Sequence, residues 1–248
     1  MKKLIIIAGL FICITEAKSQ GFDKLLKKAT KDTSLASKAN SILSGGNVKG
    51  LSNGDIVAGL KEALSQGVTK GTNQLSAVDG FLANAAVKVI LPQEAEKVEK
   101  TLRNIGMGKM VDDAIVSMNR AAEDAAKDAA PIFINAVKNI SVADGFSILK
   151  GADTAATGFL RKNTNEQLTA AFRPTIEKSL QKTGATKYWS DLVGAYNKVS
   201  FRKINPDLAA YVTDKATYGI FYQIAEEERS IRKNPAARST ELLKKVFN

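Results

Sequence analysis

Asn119, Arg120 and Glu123 are the residues whose types and spacing come closest to chemistry in this chain. Arg120 and Glu123 stand three apart, which on a helix puts them on one surface, beside the apolar Met118 and Ala122. An arginine next to a close-packed alanine face sits in a groove on the functional reading, where its planar fork grips a carboxylate or phosphate. The plainer reading of the same spacing is a surface ion pair. Arg161 (followed by Lys162) and Arg173 (followed by Pro174) raise the same alternative in later helices. The candidate ligand-binding set is therefore Asn119, Arg120, Glu123, Arg161 and Arg173. Trp189, with Tyr188 and Tyr196 nearby, lines a pocket or buries an apolar face around one polar handle.

The absences limit the chemistry more than these residues define it. The 248 residues contain no histidine, which excludes Ser-His-Asp and Cys-His triads, histidine-ligated zinc and histidine general bases. Carboxylate-only catalysis stays open, as a hydrolase or lyase with Glu123 or Asp112 as candidate acids. Asp112 and Asp113 are read as first-turn helix residues near free N–H groups, and no EF-hand loop surrounds them. Gly45-Gly46 and the Gly106/Gly108 pair lack the spacing and the basic residue of a phosphate loop, and are read as turns. No catalytic residue, metal ligand or cofactor is assigned.

The first nineteen residues predict an address. A basic start at Lys2-Lys3, an apolar run from Leu4 to Ile14 and a polar stretch ending in Ala17-Lys18-Ser19 have the order of a secretory signal peptide. The run is too short to span a bilayer as a stable helix. Cleavage is expected before Gln20, giving a periplasmic or secreted protein. Cys13, the only cysteine, follows bulky Ile12, so lipoprotein anchoring is the weaker alternative, and the cleaved chain would have no cysteine.

The formal charge is +11. Losing Lys2, Lys3 and Lys18 with Glu16 lowers it by two, to +9. Such a charge points to anionic partners, namely a small anion, a glycan, a lipid surface or an acidic envelope protein, with nucleic acid a weaker candidate in that compartment. Lysines that merely solvate helix faces would give the same total. A structural or oligomerisation module of the cell envelope is the third reading, based on apolar helix faces.

Helical periods organise the chain. Residues 20–50 are rich in Lys, Ser, Thr, Asn and Gly and are expected to form a less ordered arm, with a short helix over Gly21 to Ala29. A single helical domain is expected over 51–248. Ser52-Asn53-Gly54-Asp55 and Ser141-Val142-Ala143-Asp144 are capping boxes, and Thr164-Asn165-Glu166-Gln167 reads as a third. Behind the first, Ile56, Leu60, Leu64 and Val68 share one helical face, and Gly67 and Gly71 mark its fraying end. A second helix is expected over Ser76 to Ala86, and Val87 to Leu91 is the one extended piece. A helix over about Lys109 to Lys127 turns Met110, Val111, Ala114, Ile115, Met118 and Ala122 inward and pairs with the one before it across a short loop. Asp153 is expected to cap the segment through Arg161, and Pro174 to kink or divide the stripe Leu168, Phe172, Ile176, Leu180. Asn205-Pro206-Asp207 opens the longest stripe, Leu208 to Ile224, and Ser239 caps a terminal helix. The fold class is all-α: a compact, bundle-like domain of many helices joined by short loops.

These stretches also resemble a bacterial family of exported proteins, domain of unknown function 4197 (DUF4197). The resemblance lies in Leu51-Ser-Asn-Gly-Asp-Ile-Val-Ala-Gly-Leu-Lys-Glu-Ala-Leu64, Ser117-Met-Asn-Arg-Ala-Ala-Glu123 and Phe172-Arg-Pro174. It continues in Val212-Thr-Asp-Lys-Ala216, Ala225-Glu-Glu-Glu228 and Ile231-Arg-Lys-Asn-Pro-Ala-Ala-Arg238. It implies an exported helical protein of Gram-negative bacteria and supplies no activity, cofactor or catalytic residue.

Overall fold

Ser52 and Asp55 form the capping box that their spacing predicts: the serine hydroxyl accepts the Asp55 N–H, and the carboxylate accepts the Ser52 N–H. The helix that they open is the first element of a computed structural model describing residues 52–246 apart from 200, 202 and 239. The expected leader, the arm over 20–50 and the Ser239 cap lie outside the described residues. Nine α-helices follow in order among those residues: α1 (Asn53–Ser76), α2 (Glu96–Asn104), α3 (Gly108–Ala126), α4 (Ala129–Lys138), α5 (Val142–Lys150), α6 (Ala155–Lys182), α7 (Ala185–Val199), α8 (Leu208–Lys233) and α9 (Glu241–Val246). Single 3₁₀ turns precede α2 and α9, and the described residues contain no strand. The protein is all-α.

The four long helices make the core. α3 and α8 pack on each other, and each packs on both α1 and α6, while α4 fills between α1 and α6. The alanines that allow this closeness are Ala121, Ala122, Ala125 and Ala126 on α3, all fully buried. Leu160, Leu168, Phe172, Ile176 and Leu180 bury one stripe of α6, and Leu208, Val212, Ala216 and Ile220 bury one of α8. Phe133 of α4 meets Phe221 of α8 edge-on, with centroids 5.5 Å apart. α2 packs on α3, α5 on α1 and α6, α7 on α6, and α9 on α1.

Tertiary contacts override several local expectations. Gly67 and Gly71 do not end α1, because they let α8 come close: a Cβ at Gly71 would lie 3.3 Å from Gln223 Cγ, one at Gly67 3.6 Å from Glu227 Cβ. No helix forms over Ser76 to Ala86. Residues 77–83 are turns, with Asp79 at φ +67°, and a Cβ at Gly80 would lie 2.3 Å from the Gln74 carbonyl oxygen. Thr164 starts no helix, since its hydroxyl donates back to Leu160 O inside a continuous α6. Pro174 does not divide that helix either. Asp207 caps α8 by accepting the Ala210 N–H at 2.9 Å, so Pro206 precedes the helix instead of entering its first turn.

Gly219 is a contact of the same kind, 2.5 Å from Phe81 Cε1 if it carried a Cβ. Gly219→Ala is expected to lower stability by about 1–3 kcal/mol through overpacking, despite alanine's better helix propensity. A urea midpoint at or above that of the parent protein would contradict this. Asp124 and Asp207, which join separate helices, contribute to the response to acid. Hydrogen bonds from Lys127 and Ser179 hold Asp124 below the usual aspartate value of 3.8, and the Ala210 N–H and then Arg173 do the same for Asp207. A depressed folded pKa adds stability above the unfolded value and loses it as pH falls through the folded one. With no histidine to titrate, the loss is expected below about pH 4, and a fall complete by about pH 5 in a urea-midpoint series would refute it.

Candidate functional site

Helix α3 carries Asn119, Arg120 and Glu123 as neighbours, and all three face the connection between α1 and α2. Asn119 is fully buried: its Oδ1 accepts the Val89 N–H at 2.8 Å, and its Nδ2 donates to Val89 O and Ile115 O, both at 2.7 Å. One amide thus satisfies both backbone groups of Val89. Glu123, 4% exposed, accepts the Phe81 and Leu82 N–H groups at 3.1 and 3.3 Å on Oε1. Its Oε2 takes Arg120 Nη1 at 2.6 Å, and Arg120 Nη2 reaches Asp79 at 2.7 Å. Donating to Glu123 first, then to Asp79, raises the arginine's pKa above its ordinary value. The three residues form a clip that pins residues 79–89 to α3, and the fork of Arg120 closes on carboxylates of its own chain.

Arg161 and Arg173 do not join them. The Arg161 guanidinium lies over the Phe221 ring, 4.6 Å from its centroid. Arg173 pairs with Glu177 at 2.9 Å and with Asp207 at 2.7 Å, tying α6 to the cap of α8. Of the five candidates, the structure brings together Asn119, Arg120 and Glu123 and gives the other two separate partners. Among the described residues no group of three or more acidic or cysteine side chains could hold a metal ion.

The concavity suited to a ligand lies elsewhere. A cleft of about 480 Å³ opens between α3 and α7, closed by Leu91, Leu102 of α2 and Leu208 of α8. Met110, Val111, Ala114 and Met118 make one wall; Ala185, Tyr188, Trp189 and Leu192 make the other. Trp189 is 6% exposed and donates its Nε1 to Asn205 O at 3.4 Å, whereas Tyr188 is 63% exposed. The charged side chains of the lining are Lys109 and Asp113, one turn apart and 2.7 Å from each other. Ile105 and Met107, both exposed, lie in the turn that leads into the first turn of α3. Trp189 and Tyr188, which the sequence left between pocket and core, line this cleft, with Trp189 also buried, and Tyr196 is not in its lining; Leu91, Leu102 and Leu208, from three separate segments, carried no signal for it.

The family model described as a protein of unknown function (DUF4197) matches residues 50–248. The chain belongs to the DUF4197 family. No curated protein and no solved structure matches it. In this DUF4197 chain the stretch 225–238 builds a second buried clip. Glu228 of α8 is 5% exposed and accepts the Ala156 and Thr157 N–H groups at 3.0 and 2.8 Å, with the Thr157 hydroxyl at 2.8 Å. It therefore caps α6 from another helix, in place of Asp153, which pairs with Lys233. Arg232 bonds to Glu228 and reaches Ile148 O at 2.9 Å, serving the end of α5. Arg238 donates to Ile231 O and Arg232 O, closing the end of α8. The two clips of the DUF4197 fold are thus devices of assembly, and its α3–α7 cleft is the candidate site.

Proposed function

We propose that this is an exported binding protein without a catalytic role, whose ligand lodges an apolar body in the α3–α7 cleft. The observation that carries the reading is the lining itself: aliphatic and aromatic walls around a volume in the range of about 300–1,000 Å³ where small ligands bind. The sequence pointed to an anion gripped by Arg120, and the clip geometry moves the emphasis from charge to apolar burial. Paired-carboxylate catalysis gains no support: Glu123 is committed to three donors, Asp112 pairs with Arg103, and the cleft's carboxylate is Asp113 alone. No single helix among the described residues is long and apolar enough to cross a membrane.

Trp189, the only tryptophan, makes the cleft self-reporting. Titration with N-phenyl-1-naphthylamine, an uncharged apolar fluorophore, is expected to quench Trp189 by energy transfer. Ala114→Phe, which fills the cleft, should weaken that binding by about tenfold or more. Unchanged affinity in the variant, or no binding in the parent protein, would sink the reading. The export half of the proposal is checked separately: protein recovered from the periplasm or medium should begin at Gln20, and a retained Met1 would refute it.

A further inference from the structure

We infer that the head group read at this cleft is zwitterionic, so that the ligand is a single-chain amphiphile with one anionic and one cationic centre. The inference rests on the cleft being a ligand site, and it names what that site selects. Its basis is the rim. Lys109 and Asp113 are the charged side chains of an otherwise largely apolar lining, and they point their charges to one place, 2.7 Å apart. Their side chains are 85% and 63% exposed, so each charge stays accessible to an incoming group.

A singly charged head meets one attractive and one repulsive partner there. A carboxylate gains Lys109 and faces Asp113, while an ammonium group gains Asp113 and faces Lys109. Arg103, shared by Glu99 and Asp112 on the adjoining turns, leaves one net negative charge nearby, which ranks an ammonium head above a carboxylate head but gives neither a partner for a second charge. An uncharged head leaves the Lys109–Asp113 pair as it was and gains nothing from it. A head bearing both charges exchanges one exposed, weak internal pair for two charge-assisted contacts. The tail then runs along Met110, Ala114 and Trp189 into the apolar part of the cleft.

The test holds the tail constant and varies the head, using dodecylphosphoethanolamine, dodecanoate, dodecylammonium and dodecanol below their micellar concentrations. Binding is read from Trp189 fluorescence of the purified protein. The zwitterion is expected to bind about two- to fivefold tighter than the other three, the gain from one additional exposed charge contact. Lys109→Met should make dodecylammonium the best ligand, and Asp113→Asn should do the same for dodecanoate; both positions are exposed, so circular dichroism should show an unchanged fold. Equal affinity for all four heads overturns the head-group inference and leaves the cleft reading standing. A charge preference that neither substitution moves also overturns it. If no dodecyl compound perturbs Trp189, while the Ala114→Phe comparison also fails, the cleft reading falls and this inference falls with it.

Discussion

Glu228→Ala is expected to destabilise the domain by about 3–5 kcal/mol, the usual cost of removing one partner from a buried charged pair. The carboxylate has four donors: two N–H groups that begin α6, the Thr157 hydroxyl and Arg232. Alanine removes the acceptor that all four share, at a position where the Glu228 residue is 5% exposed. Arg232, 12% exposed in its side chain, becomes a poorly compensated cation in contact with two carbonyls. Arg232→Ala made on top of Glu228→Ala should therefore cost much less than Arg232→Ala alone, a non-additivity that defines a coupled pair. Urea unfolding with an unchanged m-value measures both effects, and a loss below about 1 kcal/mol for Glu228→Ala would show that the clip is dispensable.

Asn119 should give the second-largest effect, about 2–4 kcal/mol, and the diagnostic is that Asn119→Leu costs as much as Asn119→Ala. Leucine restores volume without a donor or acceptor. If the penalty comes from the unpaired N–H and C=O of Val89, volume cannot rescue it; if it came from a cavity, leucine would recover most of the loss. Hydrogen exchange gives an independent readout, because the Val89 amide loses its acceptor in both variants and should exchange faster than amides of α6. A leucine variant as stable as the parent protein would remove Asn119 from the list of structural determinants.

What the sequence made legible depended on how local the cause was. Both serine–aspartate capping boxes formed where their spacing placed them, because a box is settled by four consecutive residues. The Arg120–Glu123 pair likewise followed from a spacing of three, and the apolar stripes of α6 and α8 from their period. Thr164 shows the limit: its pattern with Gln167 is that of a box, yet Leu160 and Leu168 are buried on either side and keep the helix running through it. Ser76 to Ala86 fails for a related reason. Helical propensity there is overridden by the buried carboxylate of Glu123, forty-one and forty-two residues away, which takes the N–H groups of a turn. The site followed the same rule. Asn119, Arg120 and Glu123 were legible as a group, but their partners Asp79, Phe81 and Val89 were not, so the group looked open to a ligand. Trp189 was legible as a residue of either a pocket or the core, and the leucines that close its cleft were not, since their meeting depends on three separate segments.

The trans-capping by α8 has a consequence in time as well as in energy. During synthesis α6 and α5 emerge first, yet the groups that satisfy their ends arrive with Glu228 and Arg232, more than seventy residues later. α1 waits longer still, since Glu227, the partner of Lys70, lies 157 residues downstream. Until the last long helix is made, the start of α6 lacks Glu228, the end of α5 lacks Arg232, and α1, α3 and α6 lack the apolar face of α8, and loops of that length close slowly. The nascent chain therefore completes its core only when it is nearly finished. Late completion of the core suits passage through a membrane channel before stable folding, as the proposed export requires.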